Sequence, residues 1–457
     1  MPVTAYANEG KSIARINGKV AFIDGAVPGD VVNIKVHKSK KDWMEASVET
    51  LVHPSEDRIE SFCKHFGFCG GCKWQFLDYP SQLKYKQQSV IDSLERIGKV
   101  HPKEILPIIG STNQKFYRNK LDYSAADRAW VSKEEFNSDT YKPVPALGFH
   151  VSGNFTTVLD LEECFLQPAP SNQIRLCVKN FAVKNGLSFY DNWNKKGFLR
   201  TLIVRNNRKG EFMVIVVAGE KKDEWMFPLL DELKNNFPQI TSLQYIISTK
   251  VNDTIFDQEV ITYRGENFIT EEMEGLQFRI SAKSFFQTNP EQAYNLYKVT
   301  RDFAQLSGDE LVYDLYTGTG SIALFIAKKA REVIGIEQVE DAIIDARLNA
   351  QLNGINNTKF FAADMRRVLT PQFFSEHGKP DVIITDPPRG GMHPDVVREI
   401  VQCGCPRIIY VSCNPASQAR DIQMLSSQYE LMKIQPVDMF PHTHHIENVA
   451  LLELRNQ

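Results

Sequence analysis

Hydrophobic and polar positions along the chain fall into three regimes. Over residues 1–60 they alternate in short runs with the two-residue period of strands. Lys11-Ser-Ile-Ala-Arg-Ile16 and Lys19-Val-Ala-Phe-Ile23 flank Asn17-Gly18, the dipeptide that favours a tight hairpin. Val31-Val-Asn-Ile-Lys-Val36 follows the turn Pro28-Gly29-Asp30, and Lys35–Lys41 reads as a basic tip. Short strands separated by turns predict a five-stranded β-barrel of the OB type. The second regime is mixed. Residues 80–98, entered through Tyr79-Pro80, place Leu83, Val90, Ile91, Leu94 and Ile97 on one side of a helix. Residues 130–143 are polar and read as a surface loop, while 145–280 are strand-rich, as in Leu202–Arg205 and Phe212–Val217. From about residue 283 strands and helices alternate. Strands are expected over Leu311–Leu315, Glu332–Glu337, Lys359–Asp364, Asp381–Asp386 and Arg407–Ser412, with helices over Ser321–Lys329 and Asp341–Asn353. This βαβ rhythm predicts a doubly wound parallel sheet in an α/β protein.

Composition sets the scale. The chain has 457 residues, 42% hydrophobic and 24% charged, which sustains folded cores and excludes a disordered or fibrous protein. Roughly three domains are expected at about 150 residues each: a barrel over 1–60, a central α+β domain over 61–280 and a Rossmann-like domain over 281–457. No apolar run approaches the roughly 18 residues of a membrane helix. The start of the chain lacks a secretory pattern, so a cytoplasmic monomer with no membrane partner is expected.

Lys and Arg number 53 and Asp and Glu 56, a net charge of −3. The chain as a whole is therefore not a polybasic nucleic-acid binder, and any such site must be local. Lys64–Lys120 holds ten basic and four acidic residues, an excess of +6, interleaved with Phe66, Phe68, Trp74, Phe76, Tyr79, Tyr85, Phe116 and Tyr117. Cations with stacking rings suit single-stranded RNA. The competing reading makes most of these rings core and the lysines a solvated face.

Eight cysteines are too sparse and uneven for a disulfide framework. Cys63, Cys69 and Cys72 crowd one short stretch, and three thiolates on one loop suit a soft metal centre with Cys164 or Cys177 as fourth ligand. Zinc is the alternative to an iron–sulfur cluster. The C-x3-C-x2-C spacing of radical enzymes is absent.

The richest chemistry follows the strand ends. Asp314-Leu-Tyr-Thr-Gly-Thr-Gly320 links a strand to a helix, where glycines let backbone approach a ligand. Glu337, Asp364 and Asp386 end the next three strands. Acids at successive carboxyl ends fit S-adenosylmethionine, an amine and a sulfonium, better than a dinucleotide, whose third fingerprint glycine is missing. Cys413, in Ser412-Cys-Asn-Pro415, opens onto the same edge, where a thiol beside a methyl donor points to covalent catalysis. Glu447 is a candidate base in Asp438-Met-Phe-Pro-His-Thr-His-His-Ile-Glu447, and the three histidines lack the companions a metal site needs.

Phe285-Phe-Gln-Thr-Asn289, Asp314-Leu-Tyr-x-Gly-x-Gly320, Asp386-Pro-Pro-Arg389, Ser412-Cys-Asn-Pro415 and His445-Ile-Glu447 together resemble the RNA 5-methyluridine (uracil-C5) methyltransferases of the RumA type, over nearly the whole chain. The resemblance implies an N-terminal TRAM domain and a central iron–sulfur domain whose [4Fe–4S] cluster is held by Cys63, Cys69, Cys72 and Cys164. It implies S-adenosylmethionine contacts from Gln287, Tyr316, Ser321, Glu337, Asp364 and Asp386, with Cys413 as nucleophile and Glu447 as base. Ser321 stands where some members carry Asn. The expected partner is RNA, 23S rRNA in a single-stranded or loop region, because tRNA enzymes resemble only the catalytic part. An RNA cytosine-C5 methyltransferase would carry a second Cys where Arg389 stands, and an amino-group methyltransferase would want an aromatic after the prolines. A non-catalytic iron–sulfur RNA-binding protein would leave Cys413 and Glu447 idle.

Overall fold

Residues 1–455 are described by a computed structural model in which the chain passes four times between two units. Residues 1–61, 73–114 and those from 291 onward form the first, and 62–72 with 115–290 form the second. The block expected over 61–280 is therefore divided. Residues 73–114 go with the first unit because Val90 and Leu94 join the core of its large sheet and Glu104–Ile105 adds a strand to its edge.

The first unit begins with five strands in the order Ala5–Tyr6, Ser12–Ile16, Lys19–Asp24, Trp43–His53, Val31–Ser39. Asn17 and Gly18 both take positive φ, 47° and 80°, as a tight hairpin requires. Pro2 bridges Val31, so the two ends of the strand order meet. Ala14, Ala21, Ile23 and Val32 fill the interior. Most of the expected basic tip is strand, since Val31–Ser39 absorbs Lys35 to Lys38.

The large sheet runs Thr358–Ala362, Glu332–Glu337, Leu311–Leu315, Val382–Thr385, Arg407–Ser412, Glu447–Leu454, Tyr429–Val437, Glu104–Ile105. The first five strands are parallel. Their central residues, such as Tyr313, Ile334, Ile383 and Ile408, are fully buried, as helix-covered parallel strands demand. Strand order reverses between Leu311–Leu315 and Val382–Thr385. Such a reversal leaves a crevice at the carboxyl ends of the strands.

The helix expected over 80–98 spans Tyr79–Ser93, continues in one wider turn over Leu94–Gly98 and stops at Lys99 with φ 51°. Of the expected apolar stripe, Val90 and Leu94 are buried in the core of the large sheet and the rest is not. Ile97 is exposed and Leu83 and Ile91 are half-buried, whereas Ser81, Gln82 and Lys86 point inward. These polar side chains meet polar partners, while Val90 and Leu94 meet the apolar core.

In the second unit seven strands run Ile261–Gly265, Ile240–Ile247, Phe212–Ala218, Leu199–Asn206, Lys120–Ala126, Ala146–Val151, Asn154–Asp160. Phe212–Ala218 is buried throughout and pairs in parallel with Ile240–Ile247, the helix Asp223–Asn236 lying between them in sequence. The polar stretch 130–143 is mostly exposed but contains a short helix, Lys133–Phe136. Among the described residues no helix is long and apolar enough to cross a membrane.

Candidate active site

Parallel register brings the strand ends level. Leu315 pairs with Ile336 and Thr385, Thr385 with Tyr410, and Glu337 with Ala362. Tyr316, Glu337, Asp364, Asp386 and Cys413 therefore share the carboxyl edge.

Asp314 is buried at the root of the glycine loop and accepts a 2.5 Å hydrogen bond from Thr317 Oγ1. Burial raises its carboxyl to about 7. Gly318 N donates to Glu337 Oε2 at 3.3 Å, and Gln338 N and Val339 N donate to Oε1 at 2.7 and 2.9 Å. Glu337 is thus oriented by backbone before any ligand arrives. A Cβ on Gly335 would stand 2.6 Å from the Phe360 ring and 3.0 Å from Thr317 Cγ2, so this glycine lets the loop settle on the neighbouring strand. Tyr316 takes φ 62°, a strained left-handed conformation for a residue other than glycine. Burial, then the charges of Asp421, Asp364 and Glu337, push its phenol up to about 12. Ser321 Oγ lies 3.0 Å from the hydroxyl of buried Tyr297. Asp364 is already engaged: it accepts from Arg366 N and holds the Arg366 guanidinium, which keeps its carboxyl down near 2.

Ser412 pairs with Asn448 across antiparallel strands, and Cys413 and Glu447 are the next residues along the two chains, near enough for the Glu447 carboxylate to act on the thiol. Asn414 caps the helix Pro415–Leu425 through Ala416 N and donates from Nδ2 to Arg389 O at 2.9 Å, tying the two motif loops together. Beneath them Gln418 Nε2 donates to Tyr410 O and Asn448 O at 2.8 and 3.1 Å. Burial, then the carboxylates of Glu447 and Asp386, push the Cys413 thiol up to about 11, and Arg389 opposes them. Burial and Asp386 hold Glu447 well above its ordinary value, again against Arg389. Burial and Asp314 raise Asp386 in turn. Cys413, Glu447, Asp386 and Arg389 thus share one field, in which burial and like charge favour the protonated thiol and carboxyls and Arg389 opposes them.

Motif reading missed what supports this group. The loop between Val437 and Glu447 is held by the helix Tyr79–Ser93 through a fully buried ion pair, Lys86 Nζ to Asp438 Oδ1 at 2.6 Å. No local signal marks a partner this remote in sequence. Burial, then the cations of Lys86, Arg389 and Lys73, lower His444 to about 4, leaving a neutral and weakly basic ring.

The candidate metal ligands lie in the second unit. Cys164 is buried, and burial followed by the nearby thiols of Cys72, Cys69 and Cys63 pushes it up to about 12. The four sulfurs therefore share one neighbourhood, which Cys177, half-buried on Ser171–Lys184, does not join. Among the described residues no three His, Cys, Asp or Glu are drawn into metal-holding geometry. The donor set fits a soft centre in kind, while the closed arrangement of a bound one is not formed. Gln287 is buried in this unit, its carbonyl accepting from Asn119 Nδ2 at 3.1 Å. The basic segment is not one surface: Lys86 is buried, Lys64 pairs with Glu162, and Lys103 pairs with Glu430 at 2.7 Å. Of its rings Trp74 and Tyr117 are core, and Phe68 and Phe116 are exposed.

Residues 197–455 match the family of tRNA (uracil-5-)-methyltransferases, and residues 2–48 match the TRAM domain. An uncharacterized RNA methyltransferase of Bacteroides thetaiotaomicron is 51% identical over 453 residues, 98% of this chain and 100% of the relative. One of Porphyromonas gingivalis is 49% identical, covering 99% of each chain. Among solved structures, the Pyrococcus abyssi tRNA (uracil-54, C5)-methyltransferase in complex with S-adenosyl-L-homocysteine superposes with a TM-score of 0.76 at 28% identity, covering 99% of both chains.

Proposed function

Because the chain belongs to the tRNA (uracil-5-)-methyltransferase family, we propose that this S-adenosylmethionine-dependent RNA (uracil-C5)-methyltransferase works through a covalent adduct of Cys413 with C6 of a uridine. The observation that supports the reading is the Ser412–Asn448 pairing, after which Cys413 and Glu447 follow at neighbouring strand ends.

Uracil C5 is a poor nucleophile. Once a carboxylate of the cluster takes the Cys413 proton, thiolate addition at C6 makes C5 carbanion-like. Bound S-adenosylmethionine supplies an electrophilic methyl group at its sulfonium, and Tyr316, Ser321, Glu337, Asp364 and Asp386 are the residues we assign to hold it. Glu447 then removes the C5 proton, and Cys413 leaves by β-elimination. Burial and Asp386 raise the Glu447 carboxyl well above its ordinary value, which makes its carboxylate a stronger base for that transfer. Arg389 is the cation that offsets the charge gathered around the thiol. The uridine must leave its stack to reach Cys413, which favours single-stranded or loop RNA.

Further parts of the reading concern the rest of the chain. The meeting strand ends of the N-terminal sheet support an OB-type barrel that contacts RNA. Cys63, Cys69, Cys72 and Cys164 are assigned a [4Fe–4S] cluster; the reaction has no redox step, so the cluster would act as a staple. The enzyme is read as a cytoplasmic monomer acting on 23S rRNA. A second reading, tRNA, is favoured by a specific observation. The P. abyssi tRNA enzyme matches 99% of this chain, so full-length architecture does not separate the two substrates.

The test is Glu447→Gln with labelled S-adenosylmethionine and transcripts of 23S rRNA and tRNA. We expect a protein–RNA adduct that survives denaturing electrophoresis, carries the methyl label and forms with one RNA class. Free methylated RNA released at the normal rate would remove Glu447 from the mechanism.

A further inference from the structure

The hairpin that presents Glu447 is gripped by a helix from a remote part of the chain, and we infer that the buried Lys86–Asp438 ion pair is a positioning device for proton abstraction. The inference rests on Glu447 being the base. Val437 pairs with Glu447 across the hairpin mouth, and Asp438 is the next residue. Both side chains of the pair have 0% exposure. Lys86 Nζ also donates to Phe440 O at 3.0 Å, and Asp438 accepts from Phe440 N at 3.0 Å and from Tyr79 OH at 2.9 Å. The same helix grips the loop again at His442, whose N donates to Gln82 Oε1 at 2.8 Å. The His442 carbonyl accepts from Lys73 N and Trp74 N at 2.8 and 2.9 Å. Alternate residues of the loop, Asp438, Phe440 and His442, are therefore each fixed by directed bonds.

Apolar packing would hold this loop without fixing its direction. A buried ion pair gives little net stability over an apolar pair, because desolvation offsets the attraction, but its saturated hydrogen bonds admit one geometry. Glu447 has to meet the C5 hydrogen at close range, and a displacement of about 1 Å costs on the order of 100-fold. The Lys86–Asp438 pair stands one residue beyond the partner of that base.

Lys86→Met alone strands a buried carboxylate and is expected to destabilise the protein. The decisive variant is the neutral pair Lys86→Met/Asp438→Asn, which keeps the volume and one of the two acceptor oxygens of Asp438. It should fold, bind S-adenosylmethionine as the parent does, and form methylated adduct within about threefold of the parent rate, while release slows by roughly tenfold or more. Raising the pH should not restore release, since the base is displaced rather than protonated. Lys86→Arg, which retains the charge, should recover part of it. Parent-like turnover with no trapped adduct would make the pair purely structural and overturn the inference. So would an equal loss of adduct formation and release in a variant that still binds the donor. Should the neutral pair not fold, Lys86→Gln, which can still donate to Asp438 without the charge, decides by the same partition: trapped methylated adduct supports the inference and parent-like release refutes it. A parent enzyme that forms no adduct with RNA would take down the reading of Cys413 and Glu447, and this inference with it.

Discussion

Asp314, Asp386 and Glu447 are carboxyls in surroundings that disfavour charge, and their burden is measurable away from catalysis. When the chain unfolds, Asp314 and Asp386 ionise near 3.8, whereas in the fold burial holds Asp314 to about 7 and Asp386 is raised with it. Their protonated forms therefore stabilise the fold fully below about 3.8, and that contribution is lost as pH rises towards about 7. Each such group contributes a slope of about 1.4 kcal/mol per pH unit across this window. Asp386→Asn should flatten the decline in Tm of the ligand-free protein between these limits and be more stable than the parent above pH 7; matching profiles would refute it. Cys413→Ala should abolish turnover yet leave S-adenosylmethionine affinity nearly unchanged, which calorimetric titration checks. The acids and the thiol were legible as motifs. Their neighbours were not: Arg366 on Asp364, Tyr297 on Ser321 and the reach of Arg389 depend on how loops fold back.

At the scale of elements, the glycine loop works because the strand beside it has no side chain at Gly335. Gly335→Ala would push a methyl against Phe360 and Thr317, at 2.6 and 3.0 Å. Overpacking of this kind costs roughly 1–3 kcal/mol. Because Thr317 belongs to the donor loop, S-adenosylmethionine affinity should fall along with Tm. A variant with parent-like affinity would show the loop to be independent of that strand. The strands of the parallel sheet were legible from period and apolar runs alone. The helix Tyr79–Ser93 was legible as a helix, and Val90 and Leu94 as core, but Gln82 and Lys86 rather than Leu83 and Ile97 also face inward. Amphipathic patterning assumes an apolar neighbour, and the part of this helix that carries Gln82 and Lys86 meets a polar loop instead.

At the scale of the whole molecule, the chain interleaves its two units, so cysteines adjacent in sequence to the helix Tyr79–Ser93 belong elsewhere. Protein purified without oxygen should carry iron and sulfide, and Cys63→Ala, Cys69→Ala, Cys72→Ala or Cys164→Ala should each lose them. Cys177→Ser should not, because that thiol lies apart on its helix. Stoichiometric zinc without sulfide would overturn the assignment.

By itself the sequence determined the element rhythm, the parallel sheet and the residues that end its strands, because these follow from local periodicity and from side-chain types at strand ends. It also carried the family resemblance, through motifs only a few residues long. Only the tertiary structure decided that Cys413 lies near Glu447, that Asp364 is paired with Arg366, and that residues 73–114 complete the large sheet. It alone joined Lys86 to Asp438. Such contacts unite groups that share no local pattern, and their energies come from burial and charge, which exist only once the chain has folded.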